Sequence, residues 1–348
     1  MNIPALPRFG RPARWPRPAR QGLTGPFGRN ALLAGLQRLA SVPGTFGPES
    51  LAVGPDNSLY SGLDDGRIVR FDGRGNLLKT VCNTGGRPLG LRFHPDGSLL
   101  VCDTRKGLLR VTLDGQVKTI AVEAEGLRFG FADDLDVDRE GRYAYFSDAS
   151  SKWHYNEDML DLIEHGGHGR LLRCELATGR TDVLMRGLQF ANGVTLGPDD
   201  AYVLVTETGH YRVHRYWLKG PQAGRHDLWL DNLPGFPDNI RFNGRDRFWL
   251  AIPVPRDPLL DLLAPLPLLR FGLLQLARHV PIPVKRAGIV LGYDLDGRLV
   301  VNLQCHGRGD YHFITQAMEV GDWLYVGSLK EKTLARLPLA AVAPPGNR

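Results

Sequence analysis

Three short strings carry an oxygen-bearing side chain at one place, just ahead of an apolar alternating run: FADDLDV (131–137), FANGVTL (190–196) and FPDNIRF (236–242). A fourth, GPESLAVGPD (47–56), does the same. Counting back seven residues from the turn after each run lands on Glu49, Asp133, Asn192 and Asp238. Three carboxylates and one carboxamide, if brought together, repel one another unless a cation lies among them. Hard oxygen donors without paired Cys or His favour Ca²⁺ over zinc or copper, and Mg²⁺ or Mn²⁺ fit the same donors. A single Asp or Asn ahead of a strand more often caps a turn than binds an ion. The shared register of four carries the metal reading.

The elements that must position these residues repeat. GPDNSLYSGLDDGRIVRFDGRGNLLKTV and HPDGSLLVCDTRKGLLRVTLDGQVKTI begin about 40 residues apart, and four further units follow the same order of turn, apolar strand, turn and alternating strand. A lone four-stranded sheet leaves both faces wet, whereas six packed radially bury them and keep their edges short. The expected fold is all-β: a six-bladed propeller with four-stranded blades over residues 46–338. A merged repeat, giving another blade count, is the alternative. A basic, Pro-rich arm (1–45) precedes the body and a short tail (339–348) follows it. One insertion follows SDASSKW, and a larger apolar one spans about 253–285.

In a propeller the first strand of each blade lines the central channel, so equivalent slots converge on the axis. The other two slots hold Leu89 and Thr315. Asp103, Asp148 and Glu207 recur at a later strand end and read as structural groups that hydrogen-bond between blades. Asp134, beside Asp133, should face the other way and also reads as structural.

Composition narrows the function classes. The 348 residues are 43% hydrophobic and 23% charged, with 42 Gly and 25 Pro, a globular and turn-rich composition. The net charge is +6, concentrated in the acid-free arm, so the body is near neutral and nucleic acid is not expected as a partner. The bland reading of the arm is a disordered tail. Cys82, Cys102, Cys174 and Cys305 show no close-pair spacing, and Cys102 and Cys174 read as small buried apolar residues. No apolar run is long enough to cross a bilayer, and no hydrophobic signal core opens the chain. A cytoplasmic protein, free or peripheral to a membrane, is expected. There is no GxSxG elbow, Walker loop or strand-borne GxGxxG.

GRPLGLRFHPDG, FADDLDVDREGRYAYFSDASSKW, GRLLRCELATGRTDVLMRGLQFANGVTLGPD, ETGHYRVHRYWLKGPQAG and NLPGFPDNIR together resemble the strictosidine synthase-like family, over about residues 47–337. Its wider superfamily includes regucalcin/gluconolactonase and the paraoxonases. The resemblance implies a six-bladed propeller with an axial Ca²⁺ that hydrolyses lactones or aryl esters. Carried over, the metal ligands fall on Glu49, Asn192 and Asp238. Asp133 occupies a position where many relatives have Asn, which makes it the candidate fourth ligand and general base. Thr315 stands where true strictosidine synthase has Glu, so alkaloid synthesis is not expected. Secretory-pathway relatives carry a Cys pair before GRPLG. Only Cys82 stands here, which fits a reducing compartment.

The chemistry expected is metal-assisted ester hydrolysis, with Asp133 activating water. His154 and His312 are candidate stand-ins for the paraoxonase histidine. A rival reading is a binding module whose metal only pins the blades. Another is a membrane-peripheral protein that uses 253–285 or the arm, against which the insertion reads equally well as a lid.

Overall fold

The computed structural model describes residues 12–277 and 285–342. The start of the arm, part of the large insertion and the end of the tail lie outside them. Six four-stranded antiparallel sheets form the blades of a propeller. From the axis outwards, blade I is Leu51–Val53, Leu59–Gly62, Arg67–Phe71 and Leu77–Asn83, and blade II is Pro88–Phe93, Leu99–Asp103, Gly107–Val111 and Val117–Ala121. Blade III is Ala132–Val137, Tyr143–Asp148, Gly169–Glu175 and Thr181–Leu188, and blade IV is Ala191–Leu196, Tyr202–Glu207, Arg212–Trp217 and His226–Leu230. Blade V is Ile240–Phe242, Phe248–Ala251, Gly288–Tyr293 and Leu299–Cys305, and blade VI is Ile314–Val320, Trp323–Ser328, Ala335–Pro338 and Gln37–Arg38.

The last strand of blade VI therefore comes from the chain's other end. Gln37 and Arg38 pair with Arg336 and Ala335, so residues placed in the arm by sequence belong to the ring. The rest of the described arm is also ordered. The Ala13 amide donates to the Glu164 carbonyl at 2.8 Å, and Arg256 reaches the Ala19 carbonyl at 2.9 Å. A disordered tail is not what residues 12–45 form.

Local chemistry sets the hairpins. Asp56 and Asp96 accept the amides of Ser58 (3.2 Å) and Ser98 (2.8 Å), closing the inner turns. Alternation on each strand buries leucines and valines between blades, as where Ala52 and Ile68 of blade I meet Leu91, Val101 and Leu109 of blade II. Neighbouring inner strands come so close that only glycine fits at two points. A Cβ on Gly90 would lie 2.6 Å from the Asp134 Cα, and one on Gly193 would lie 2.5 Å from the Asn239 Cα.

Both insertions rise from the gap between a blade's second and third strands. That of blade III carries α1 (Asp158–Glu164), and that of blade V carries α2 (Pro258–Leu263) and α3 (Pro267–Ala277). α3 packs on α1, and Arg270, almost fully buried, donates to the Ile163 carbonyl at 3.0 Å and also to the Ala13 carbonyl. Two insertions and the arm thus form one lid. The four cysteines are unpaired, with Cys102 and Cys174 fully buried.

Candidate axial site

The slot residues owe their aim to irregularities in the inner strands. The ladder slips between Pro88 and Leu91, Ala132 and Leu135, Ala191 and Val194, and Ile314 and Gln316. Leu89, Asp133, Asn192 and Thr315 sit inside these interruptions. Glu49 and Asp238 stand two residues ahead of their strands. A bulge turns a side chain out of the regular alternation, and four blades use one at the same level. Glu49, Asp133, Asn192 and Asp238 are only 2%, 3%, 7% and 6% exposed.

The slots are tied together around the ring. Asn239 Nδ2 donates to Glu49 Oε1 at 2.5 Å, Thr315 Oγ1 donates to the Glu49 carbonyl at 2.7 Å, and the Asn239 amide donates to the Thr315 carbonyl at 3.0 Å. The Asn192 side chain hydrogen-bonds Asp238. Two slot oxygens, Glu49 Oε2 and Asn192 Oδ1, remain without partners although buried, as does Asn239 Oδ1. Leaving such atoms unsatisfied costs stability unless something binds them.

The carboxyls feel one another. Burial first, then the charge of Asp134, pushes Glu49 up to about 7, against relief from Arg87, Asn239 and Arg241. Burial, then Glu49, Asp238 and Asp134, raises Asp133 well above the carboxylate range. Burial, then Glu49 and Asp134, does the same to Asp238. No three His, Cys, Asp or Glu side chains among the described residues already stand as a metal cluster. The site is therefore a set of mutually repelling, under-bonded oxygens rather than a closed cage. Oxygen-only chemistry, two orphaned acceptors and excess negative charge fit a hard divalent cation. Glu49, Asn192 and Asp238, with Asp133 beside them, are the residues that would hold it.

Arg87 is the site residue that sequence reasoning missed. It is fully buried, donates to the Gly47 carbonyl at 2.9 Å, and lowers both Glu49 and Asp133 electrostatically. Its only signal was its place in GRPLG. Asp134 points away from the slot group, as expected. Both its oxygens accept from Arg241, and one also accepts the Val194 amide at 2.8 Å. This buried pair, with Arg241 also donating to the Val194 carbonyl at 3.0 Å, joins blades III, IV and V.

Asp103, Asp148 and Glu207 are structural, but they act within a blade. Each accepts the backbone amide of the segment leading into its own blade's first strand: Arg87 at 3.0 Å, Phe131 at 2.9 Å and Gln189 at 2.7 Å. His154 and His312 bond none of the slot residues. His154 Nδ1 faces the Gly130 carbonyl at 3.1 Å, and His312 Nδ1 faces Glu331 at 2.7 Å.

An apolar collar adjoins the slots. Leu89, Phe131, Ala149 and Phe190 cluster with Tyr155, Leu162 and Leu329. The rings of Phe131 and Phe190 lie 5.4 Å apart edge to face, and Tyr155 donates to Asp64 at 2.5 Å. Tyr155 and Leu162 come from the blade III insertion, so the lid supplies part of the collar.

A six-bladed propeller with a buried, acidic axial slot under an insertion-built lid is the class this architecture defines. The chain belongs to the strictosidine synthase-like family. It is 36% identical over 300 residues to strictosidine synthase-like protein 6 of Arabidopsis thaliana, covering 84% of this chain and 79% of that one. It is 35% identical over 345 residues to the adipocyte plasma membrane-associated protein of Danio rerio, covering 92% and 82%. The family profiles "Strictosidine synthase" and "Strictosidine synthase-like, N-terminal" match residues 133–221 and 25–71. Among solved structures the fold is similar to a gluconolactonase of Xanthomonas campestris (TM-score 0.60, 15% identity, 88% of each chain). It is equally similar to a calcium-binding regucalcin of Agrobacterium tumefaciens (TM-score 0.60, 15% identity, 88% of this chain and 93% of that one).

Proposed function

We propose that the axial site hydrolyses lactones or aryl esters with the help of a bound divalent cation, Ca²⁺ by its donor set. The observation that carries this reading is the pair of buried, unpartnered oxygens on Glu49 and Asn192, beside the buried carboxyls of Asp133 and Asp238 and an apolar collar. When bound, the cation supplies Lewis-acid stabilisation for negative charge on a substrate carbonyl oxygen. Asp133 accepts a proton from water as the water oxygen bonds to the carbonyl carbon. The proton then passes to the leaving oxygen as the ester C–O bond breaks. Phe131, Phe190 and Tyr155 hold the apolar part of the substrate and keep bulk water out. Arg87, on the margin, offsets part of the slot's negative charge. Thr315 presents no carboxylate, so amine–aldehyde condensation lacks its acid/base here.

The adipocyte plasma membrane-associated protein, one of the similar relatives, carries no enzymatic name. A metal that only pins blades I, III, IV and V is the rival outcome. The test is calorimetry paired with an esterase assay on phenyl acetate and a lactone panel, for wild type and Asp238→Ala, with Ca²⁺ and after chelation. Melting temperature and turnover should both rise with Ca²⁺ and both fail in the variant. Stabilisation without turnover on any substrate would leave a binding module. No effect of Ca²⁺ on either would reduce the slot residues to turn caps. No helix among the described residues is long and apolar enough to cross a membrane, and the four free thiols suit a reducing compartment such as the cytoplasm.

A further inference from the structure

The outer face of the lid has no role in the axial chemistry, and its composition is unusual for a surface in water. Leu259, Leu262, Leu266, Leu268 and Leu269 are 43–69% exposed along a single eleven-residue stretch that runs from α2 through a turn into α3. Isolated exposed leucines are ordinary, but a contiguous set marks a surface that meets something. The polar groups of this stretch are turned elsewhere. Arg270 is buried beneath α3 on the Ile163 and Ala13 carbonyls. Asp261, the only acid between residues 258 and 277, lies 3.7 Å from Arg256, and Asp257, which caps α2, lies 3.9 Å from Lys285.

The charge that the arm brings to this face is positive. The arm is fastened to the same helices, with the Trp15 amide on the Ala264 carbonyl at 3.4 Å and the Ala19 carbonyl on Arg256. Arg14, Arg17 and Arg20 are exposed along it, and residues 12–48 contain no Asp or Glu. Apolar side chains on a segment that an arginine-bearing arm touches, its Arg14, Arg17 and Arg20 making no ion pair among the described residues, match a bilayer interface: leucines reach the acyl boundary while arginines meet anionic headgroups. A protein partner for the leucines alone would leave these arginines unexplained.

We propose that the lid docks on an anionic phospholipid bilayer surface through Leu259, Leu262, Leu266, Leu268 and Leu269, with Arg14, Arg17 and Arg20 holding the headgroups. Docking places the collar on the membrane-facing side of the ring. Taken with the hydrolytic reading, on which this last step rests, the substrate class becomes apolar esters or lactones dissolved in lipid.

The test is vesicle flotation of the full chain, with phosphatidylcholine alone and with about one third phosphatidylserine. Wild type should float with the anionic vesicles and release as salt rises. Leu268→Asp/Leu269→Asp should lower the bound fraction roughly tenfold or more, since each leucine contributes a burial of its own. Arg14→Gln/Arg17→Gln/Arg20→Gln should lower it several-fold on anionic vesicles only and flatten the salt dependence. Neither variant touches a buried group, so the melting temperature should hold. Wild type that stays unbound with both vesicles overturns the proposal, as do variants that float like wild type. A wild-type dimer that Leu268→Asp/Leu269→Asp converts to a monomer, without lipid binding, overturns it in favour of a self-association face. Flotation needs neither Ca²⁺ nor turnover, so its failure and that of the axial hydrolase are read separately.

Discussion

Asp238→Asn should stabilise the metal-free protein and destabilise the Ca²⁺-loaded one. The substitution keeps the side chain's shape and removes one of three carboxyls that repel across the axis. Burial and Glu49 hold Asp238 well above its ordinary value, so without a cation its charged form is disfavoured in the folded chain. Each unit by which the folded-state value exceeds the ordinary one costs the folded chain about 1.36 kcal/mol once the unfolded chain has released its proton. Its neighbours relax when it is replaced, so we expect a net gain of roughly 1–3 kcal/mol, or roughly 2–6 °C in a chain of this size. With Ca²⁺ the order reverses. Wild type gains about 2.7 kcal/mol at a hundred times the dissociation constant, while the variant lacks a donor and gains little. Scanning calorimetry with chelator and with Ca²⁺ reads both arms. A variant less stable than wild type in chelator would refute the repulsion argument, and equal gains from Ca²⁺ in both proteins would remove Asp238 from the ion.

Three further outcomes follow from the same geometry. In chelator, wild-type stability should fall as pH rises from about 4.5 to about 7, because Glu49 binds its proton more tightly folded than unfolded, and Ca²⁺ should flatten that slope; a melting series across pH checks it. Arg241→Met leaves Asp134 buried and unpaired and should cost about 3–5 kcal/mol in urea unfolding, with much of it recovered by adding Asp134→Asn. Gly193→Ala drives a methyl into the Asn239 backbone, so the slots of blades IV and V must part; we expect a loss of roughly 1–3 kcal/mol and weaker Ca²⁺ binding by calorimetric titration.

Much of this was legible because a propeller repeats short-range rules. Period-two alternation and Asp-bearing turns located the blades, and the seven-residue count picks equivalent positions because slot and turn belong to one hairpin. The break in blade V was readable too, since GIVLGYDLDGRLVVNL completes a sheet interrupted at Pro253. What escaped depended on distant partners. Gln37–Arg38 is two exposed residues without alternation, and only Ala335 and Arg336 make it a strand. An arginine reads as surface until a fold encloses it, which hid Arg87. Asp103, Asp148 and Glu207 were recognised as structural, yet their partners lie at the start of their own blades. The lid joins three segments far apart in sequence, so neither arm nor insertion announced the other.

The pairing of Gln37 with Arg336 also governs the order of assembly. During synthesis from the N-terminus, blades I to V can form as they leave the ribosome, each from neighbouring residues. Blade VI cannot, because its outermost strand is among the first segments made and its other three are among the last. The early segment must wait, unpaired, through nearly the whole of translation. Closure is thus a single long-range step of high contact order, and it is the step that should limit the folding rate.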